Sequence, residues 1–191
     1  FSTTNRKFIV ADTPGHEQYT RNMVTGASTA DLAIILVDAR KGVLEQTRRH
    51  SIICSVVGIK NIVLAINKMD LVNYSKEVFK KIESDYHIFV NNLNFQTVNS
   101  IPLSALIGDN ITYRSQKTNW YNGPTLVSLL DTIEVNNSTI DEPLRFPVQW
   151  VNRPNLNFRG YSGTIVSGKA VPGKKIKVLP SNREAKINEI F

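Results

Sequence analysis

The chain has 191 residues, a hydrophobic content of 41% and a formal net charge of +7. This composition is typical of a globular protein, and the apolar runs are too short to span a membrane. The single cysteine, Cys54, excludes an internal disulfide and fits a reducing cytosol. The basic residues are spread along the chain with few aromatic residues among them, which disfavours a nucleic-acid site. We therefore expect a cytoplasmic protein with neither nucleic acid nor a membrane as partner.

The first motif is the pentapeptide Asp12-Thr13-Pro14-Gly15-His16, which follows the apolar run 7–11. The run predicts a buried strand, and its end is where open α/β sheets bind ligands. In a nucleotide site Asp12 would hold Mg²⁺ through water, and the Gly15 N–H would meet a terminal phosphate. His16 would orient an attacking water, which makes it the candidate catalytic residue. The alternative is that Asp12 caps the turn and His16 is an exposed turn residue.

Such a site also needs a phosphate-binding loop ahead of the Asp-x-x-Gly turn. The nearest match, residues 163–170, comes after the other motifs and ends in Ala170, which has no hydroxyl for Mg²⁺. Pro172 and Gly173 then disfavour the helix that should follow. Our interpretation is that the sequence is a fragment without its phosphate loop, its first strands and its first mobile switch. We expect such a fragment to be inactive alone.

Two elements follow the first motif. The continuous apolar segment 32–37 predicts a parallel strand that is covered on both faces. Residues 45–57 have helical spacing, and Gly58 is placed to end that helix. Cys54 is expected on the buried side of the helix, which makes it an improbable nucleophile.

The second motif, Asn67-Lys68-Met69-Asp70, directly follows the apolar strand 62–66. A carboxylate only accepts hydrogen bonds, so Asp70 can take the ring N–H and the exocyclic amino group of guanine, a pair of donors that adenine lacks. Asn67 adds an amide, and the stem of Lys68 can lie flat against the base. The alternative is that Asn67 and Asp70 cap the next helix.

The third motif, Ser104-Ala105-Leu106, follows the predicted strand 98–103. There the backbone N–H of Ala105 could donate to the guanine O6, although a tripeptide this short can arise by chance. Each of the three motifs follows a predicted strand. Along the chain, the first motif would contact the phosphates and the next two would contact the base. This is the pattern of the translation-factor class of GTPases, and it indicates a GTP site.

The remaining elements complete an alternation of strands and helices that predicts a parallel α/β sheet. Ser75 can cap a helix with apolar positions at three- and four-residue steps. Residues 109–122 are polar and predict a surface loop, and Pro124 is expected to open the last helix. We predict a partial GTP-binding domain over residues 1–135, a linker over 136–143 and a partial β-barrel over 144–191.

Four segments carry a narrower resemblance: residues 20–31, 38–51, 145–154 and 158–161. They resemble the large, GTP-hydrolysing subunit of ATP sulfurylases, known as sulfate adenylyltransferase subunit 1. The resemblance covers essentially the whole chain. It implies a P-loop-type GTPase domain with a parallel sheet, followed by the start of a translation-factor-like β-barrel.

The resemblance also implies a function and a partner. In that family a small subunit makes adenylyl sulfate and pyrophosphate from ATP and sulfate, the first step of sulfate assimilation. The large subunit binds GTP and Mg²⁺ and couples GTP hydrolysis to that uphill reaction, in a heterodimer or higher assembly. Two alternatives stay open: a GTPase of the translation elongation factor type, and a non-catalytic fragment that serves as a binding piece.

Overall fold

The computed structural model of the chain describes residues 1–13, 20–135 and 141–191. The chain divides into two units, Phe1–Val135 and Asn136–Phe191. The first unit holds the second and third sequence motifs. The helices of the described residues are all too short or too polar to cross a bilayer.

The first unit is built on a parallel sheet of three strands. They are β1 (Leu32–Asp38), β2 (Asn61–Asn67) and β3 (Thr97–Pro102), in the order β1-β2-β3. The register pairs Asp38 with Asn67 and Ile66 with Pro102, so all three strands end at the same edge of the sheet. The predicted parallel α/β sheet is confirmed.

The helices of this unit begin and end where local sequence signals allow. They are α1 (Thr20–Ala27), α2 (Glu45–Val57), α3 (Lys76–Val90) and α4 (Leu126–Thr132). Gly58 ends α2 with a φ of +103°, as predicted. Ser75 caps α3 by accepting the Val78 N–H at 3.2 Å, also as predicted. Thr125, not Pro124, caps α4, because its hydroxyl accepts the Ser128 N–H at 3.3 Å.

The core lies on both faces of β2, the most buried strand. Successive strand side chains point to opposite faces, so Ile62, Leu64 and Ile66 pack on the side that includes buried residues of α2 and α3. Val63 and Ala65 pack on the other side, with Leu129 of α4. The wholly apolar sequence of β2 therefore reflects cover on both faces.

The predicted strand over residues 7–11 is wrong. Ile9 is 96% exposed and Val10 is 69% exposed, and within the described part of the chain the run makes a single β-bridge, between Ser2 and Lys7. An apolar run becomes a buried strand only when another strand satisfies its backbone groups. Among the described residues no strand of the sheet pairs with this run, and β1 is the edge strand of the sheet. Leu36 of β1 is also exposed.

The prediction of a polar surface loop over residues 109–122 is wrong in part. Asn110 and Thr118 are almost completely buried. The side-chain amide of Asn110 donates to the Pro102 carbonyl at 2.7 Å and to the Thr118 hydroxyl at 2.8 Å. A polar sequence can be buried when every polar group finds a partner, and that pairing is not visible in composition.

The second unit consists of short antiparallel strands with mostly exposed side chains. β4 (Trp150–Asn152) pairs with β5 (Gly160–Ser162), and β6 (Lys175–Val178) pairs with β7 (Arg183–Lys186). In the segment that was predicted to be a partial β-barrel, the first strand begins only at Trp150. Its strands form two separate two-stranded sheets, unlike the alternating strands and helices of the first unit.

Candidate nucleotide site

Two loops at the carboxyl edge of the sheet carry the predicted base-reading motifs. The β2 loop, residues 68–75, follows Asn67, and the β3 loop, residues 103–110, follows Pro102. Backbone hydrogen bonds join them, because the Met69 N–H donates to the Leu103 carbonyl at 3.2 Å. The Leu103 N–H in turn donates to the Ile66 carbonyl at 2.9 Å. The structure thus brings together two motifs that are well separated in sequence.

Asn67 is the side chain that connects the two loops. Its Oδ1 accepts the backbone N–H of Lys68 at 2.7 Å and that of Ala105 at 2.9 Å. The Ala105 N–H was predicted to donate to the guanine O6, and here it already has an acceptor. A base oxygen that approaches this N–H has to share it with Asn67 Oδ1.

A cleft of about 240 Å³ opens between the two loops. The Asp70 carboxylate at this cleft accepts no hydrogen bond from another residue within the described part of the chain. Leu106 is 91% exposed. A free carboxylate beside apolar walls suits a flat, polar-edged ring such as a nucleobase. The lining residues are Asn67, Lys68, Asp70, Leu71, Ser104 and Leu106.

Met69 and Ser104 have distinct places in this site. Met69 is completely buried in the core, so it supports the loop and does not line the cleft. Ser104 is completely buried as well, and its hydroxyl has no hydrogen-bond partner within residues 1–13, 20–135 and 141–191. A buried hydroxyl without a partner costs about 1–3 kcal/mol. A polar group that enters the cleft next to Ser104 would remove that cost.

Lys68 is held by a residue that sequence reasoning missed. Lys68 has a left-handed φ of +64°, and its Nζ donates to Asp38 Oδ2 at 2.9 Å. The Arg40 guanidinium also donates to Asp38, at 2.6 Å and 3.0 Å. Hydrogen bonds from Arg40 and Lys68 outweigh burial and hold the pKa of Asp38 well below its usual range. The signal in the sequence was an Asp at the end of the strand that neighbours β2.

The first motif is described only in part. Asp12 is exposed, and Thr13 lies against α1, where a β-carbon at Gly26 would be 2.7 Å from Thr13 Cγ2. Pro14, Gly15 and His16 lie outside the described residues, so their predicted roles stay predictions. Within the described ranges there is no group of three or more His, Cys, Asp or Glu side chains that could hold a metal ion. Mg²⁺ in phosphate sites keeps several waters and needs one or two carboxylates, so a single Asp12 suits it.

Comparisons with known proteins agree with this geometry. Residues 1–138 match the model of the elongation factor Tu GTP binding domain. The chain is 59% identical over its whole length to sulfate adenylyltransferase subunit 1 of Citrobacter koseri (strain ATCC BAA-895), and it spans 40% of that protein. It is 57% identical over 190 residues to the bifunctional enzyme NodQ of Rhizobium sp. (strain N33), of which it spans 29%.

A solved structure shows the same fold at lower identity. The structure of sup35 complexed with GMPPNP has a TM-score of 0.53 and 29% identity over 85% of this chain and 43% of that one. The resemblance to sulfate adenylyltransferase subunit 1 and the predicted α/β GTPase fold class are confirmed. The chain belongs to the family of the elongation factor Tu GTP-binding domain.

Proposed function

We propose that this chain is the guanine-nucleotide-binding part of a sulfate adenylyltransferase subunit 1. The observation that carries the proposal is the convergence of the motifs at Asn67 and Ser104 on one cleft, in a chain 59% identical to such a subunit. The solved structure of translation elongation factor SelB from Methanococcus maripaludis is only 28% identical, so a translation factor is the weaker alternative.

The base is selected by Asp70. Its carboxylate accepts from the ring N–H and the exocyclic amino group of guanine, while the stem of Lys68 lies against the ring. Adenine leaves Asp70 facing a ring nitrogen without a hydrogen, and an unpaired polar group in a closed site is costly. The Ser104 hydroxyl, which lacks a partner among the described residues, gains one from the bound base or from Asp70.

The phosphate end of the site uses the first motif. Asp12 would hold Mg²⁺ through water, the Gly15 N–H would meet the terminal phosphate, and His16 would orient the water that attacks it. When bound, Mg²⁺ neutralises charge on the phosphate oxygens. These roles extend the sequence prediction, since Gly15 and His16 lie outside the described residues.

The whole protein has a wider role in this proposal. A small partner subunit forms adenylyl sulfate from ATP and sulfate, and hydrolysis of GTP by this subunit drives that uphill step. Loss of the terminal phosphate relaxes a switch that biases the site of the partner. The assembly is a heterodimer or a larger complex in the cytoplasm.

The first experiment replaces the proposed guanine acceptor in the full-length protein. Asp70→Asn should lower the affinity for GTP and raise that for XTP, each at least tenfold, because xanthine offers an acceptor where guanine has its amino group. Asp85→Asn removes an exposed carboxylate on α3 and should change neither affinity. Unchanged selectivity in Asp70→Asn would contradict the proposed base site.

The second experiment tests the partner and the catalytic residue. The full-length protein should co-purify with a small sulfate adenylyltransferase subunit and should not bind aminoacyl-tRNA. The reverse result would favour a translation factor.

His16→Ala should lower GTP turnover far more than GTP affinity, and equal losses would indicate a structural histidine.

A further inference from the structure

We propose that Tyr74, Asp109 and Lys117 form a polar clamp that positions the guanine-contacting groups of the β2 and β3 loops. The clamp rests on the proposed function, because it acts on the same site. Tyr74 lies four residues after Asp70, and Asp109 lies three residues after Leu106. Each loop thus contributes one clamp residue just beyond its base-reading motif.

The clamp is a short charge-assisted hydrogen bond with a cation beside it. The Tyr74 hydroxyl donates to Asp109 Oδ2 at 2.5 Å. The Lys117 ammonium lies 3.3 Å from the Tyr74 hydroxyl, 3.7 Å from Asp109 Oδ2 and 5.1 Å from the centre of the Tyr74 ring. The Asp109 side chain is only 13% exposed, so water screens this bond weakly.

Asp109 also closes the loop that carries Ala105 and Leu106. Its carbonyl accepts the Ser104 N–H at 3.3 Å, and the Gly108 N–H donates to the Ser104 carbonyl at 2.8 Å. Displacing Asp109 therefore displaces Ser104 and the Ala105 N–H next to it. The clamp is thus mechanically connected to the predicted contact with the guanine O6.

Tyr74 is fixed on the side of the β2 loop. The Trp120 ring N–H donates to its carbonyl at 3.1 Å, and its own N–H donates to the Met69 carbonyl at 2.8 Å. Tyr74 and its neighbour Asn73 both have left-handed φ values, +52° and +51°. That conformation is unfavourable for a bulky residue such as Tyr74, so contacts from outside the loop are needed to hold it. The bond to Asp109 is such a contact.

The experiment measures release and discrimination of diphosphates by the full-length protein. Tyr74→Phe keeps the ring and removes only the hydroxyl. We expect GDP to dissociate about tenfold faster, which corresponds to a loss of about 1.4 kcal/mol, because the loops lose the charge-assisted hydrogen bond that joins them. Tyr113→Phe removes an exposed hydroxyl from a residue that lies near Asp109 in sequence, and it should leave the rate of GDP dissociation unchanged.

A second readout separates positioning from general stability. Hypoxanthine lacks the exocyclic amino group that Asp70 is proposed to accept, so the wild-type protein should bind GDP more tightly than IDP. In Tyr74→Phe the clamp is loosened, and the ratio of GDP affinity to IDP affinity should fall severalfold. If the clamp acted only on stability, the affinities for GDP and IDP would fall by the same factor.

The outcomes distinguish the clamp from the underlying function. A wild-type protein that binds neither diphosphate, or binds both equally, overturns the proposed function. If the wild-type protein prefers GDP and Tyr74→Phe changes neither the rate of GDP dissociation nor the ratio of GDP to IDP affinity, only the clamp is overturned. If Tyr74→Phe does not fold, Lys117→Gln decides, because this half-exposed side chain can lose its charge without exposing the core. We expect a change of about threefold in the same direction, and no change overturns the clamp.

Discussion

The side-chain oxygen of Asn67 accepts the backbone N–H of Ala105 at 2.9 Å, across 38 residues of sequence. The same oxygen accepts the Lys68 N–H at 2.7 Å. One amide at the end of β2 therefore fixes the start of both loops that line the cleft. Its position makes it a structural connector as well as a predicted base contact.

Asn67→Ala should weaken guanine nucleotide binding by more than tenfold, because it leaves two backbone N–H groups without their acceptor. Both bonds are exposed and contribute about 0.5–1.5 kcal/mol each, and their joint loss releases the two loops from one another. Asn61→Ala is the matched control, since Asn61 Oδ1 accepts the Thr97 hydroxyl at 2.7 Å and joins the same two strands at their other end. The control should lower the free energy of unfolding but not the GDP affinity. Equal losses of GDP affinity in both variants would show that Asn67 acts through stability alone.

Ser104→Ala should stabilise the nucleotide-free protein while it weakens GDP binding. The substitution removes a buried hydroxyl that has no partner among the described residues, which should raise the free energy of unfolding by about 1 kcal/mol. Ser100→Ala removes a second such hydroxyl, within β3 and away from the cleft. It should stabilise to the same extent and leave GDP affinity unchanged. Urea unfolding without nucleotide and GDP titration measure the two effects. Stronger GDP binding by Ser104→Ala would contradict the proposed place of this hydroxyl.

Asp38→Asn should weaken nucleotide binding through Lys68. The ammonium of Lys68 lies 2.9 Å from Asp38 Oδ2, and that carboxyl stays charged because its pKa is lowered. Since Lys68 is half exposed, the pair should contribute about 1 kcal/mol, or fivefold in GDP affinity. Affinities of Asp38→Asn, Lys68→Met and the double variant form the test. If the losses of GDP affinity in Asp38→Asn and Lys68→Met add fully in the double variant, Asp38 does not act through Lys68. Asp31→Asn, at the other end of β1, should have no effect.

The sequence was sufficient where the deciding interactions are local. The polar residue at the end of each apolar strand, the Ser75 cap and the left-handed Gly58 all follow from neighbours in the chain. The carboxyl ends of parallel strands share one edge, so the meeting of Asn67 with Ala105 was also predictable. The strand ends and the helix caps need no knowledge of which strand pairs with which, and the meeting of Asn67 with Ala105 needs only that β2 and β3 are neighbours.

The sequence was insufficient where contacts with residues distant in the chain decide whether a segment is buried or paired. Residues 7–11 have the composition of a strand, but a buried strand needs a neighbouring strand in the sheet, and the described residues provide none. Asn110 lies in a polar segment and is buried only because Pro102, Thr118 and Ser115 satisfy its amide. Asp38 and the clamp residue Asp109 depend on cations that approach from other elements. None of these pairings leaves a periodic trace in the sequence.

The last prediction concerns the cysteine. Cys54 is 1% exposed on α2, and burial raises the pKa of its thiol to about 11. In the unfolded chain the value is about 8.5. A group whose pKa is higher in the folded state stabilises it below the unfolded value, and that stabilisation is lost as the pH rises from about 8.5 to about 11.

The free energy of unfolding should therefore fall above pH 8.5, by up to about 1.4 kcal/mol per pH unit from Cys54. Urea unfolding between pH 7.5 and 10 measures the slope. Cys54→Ala is the control, because it removes the titrating group and should show a shallower decline, whatever its stability at pH 7.5. Above pH 10 other groups contribute, since burial also raises the pKa of Tyr86 to about 12. A native thiol that reacts with a disulfide reagent as fast as the unfolded chain does would contradict the burial on which this prediction depends.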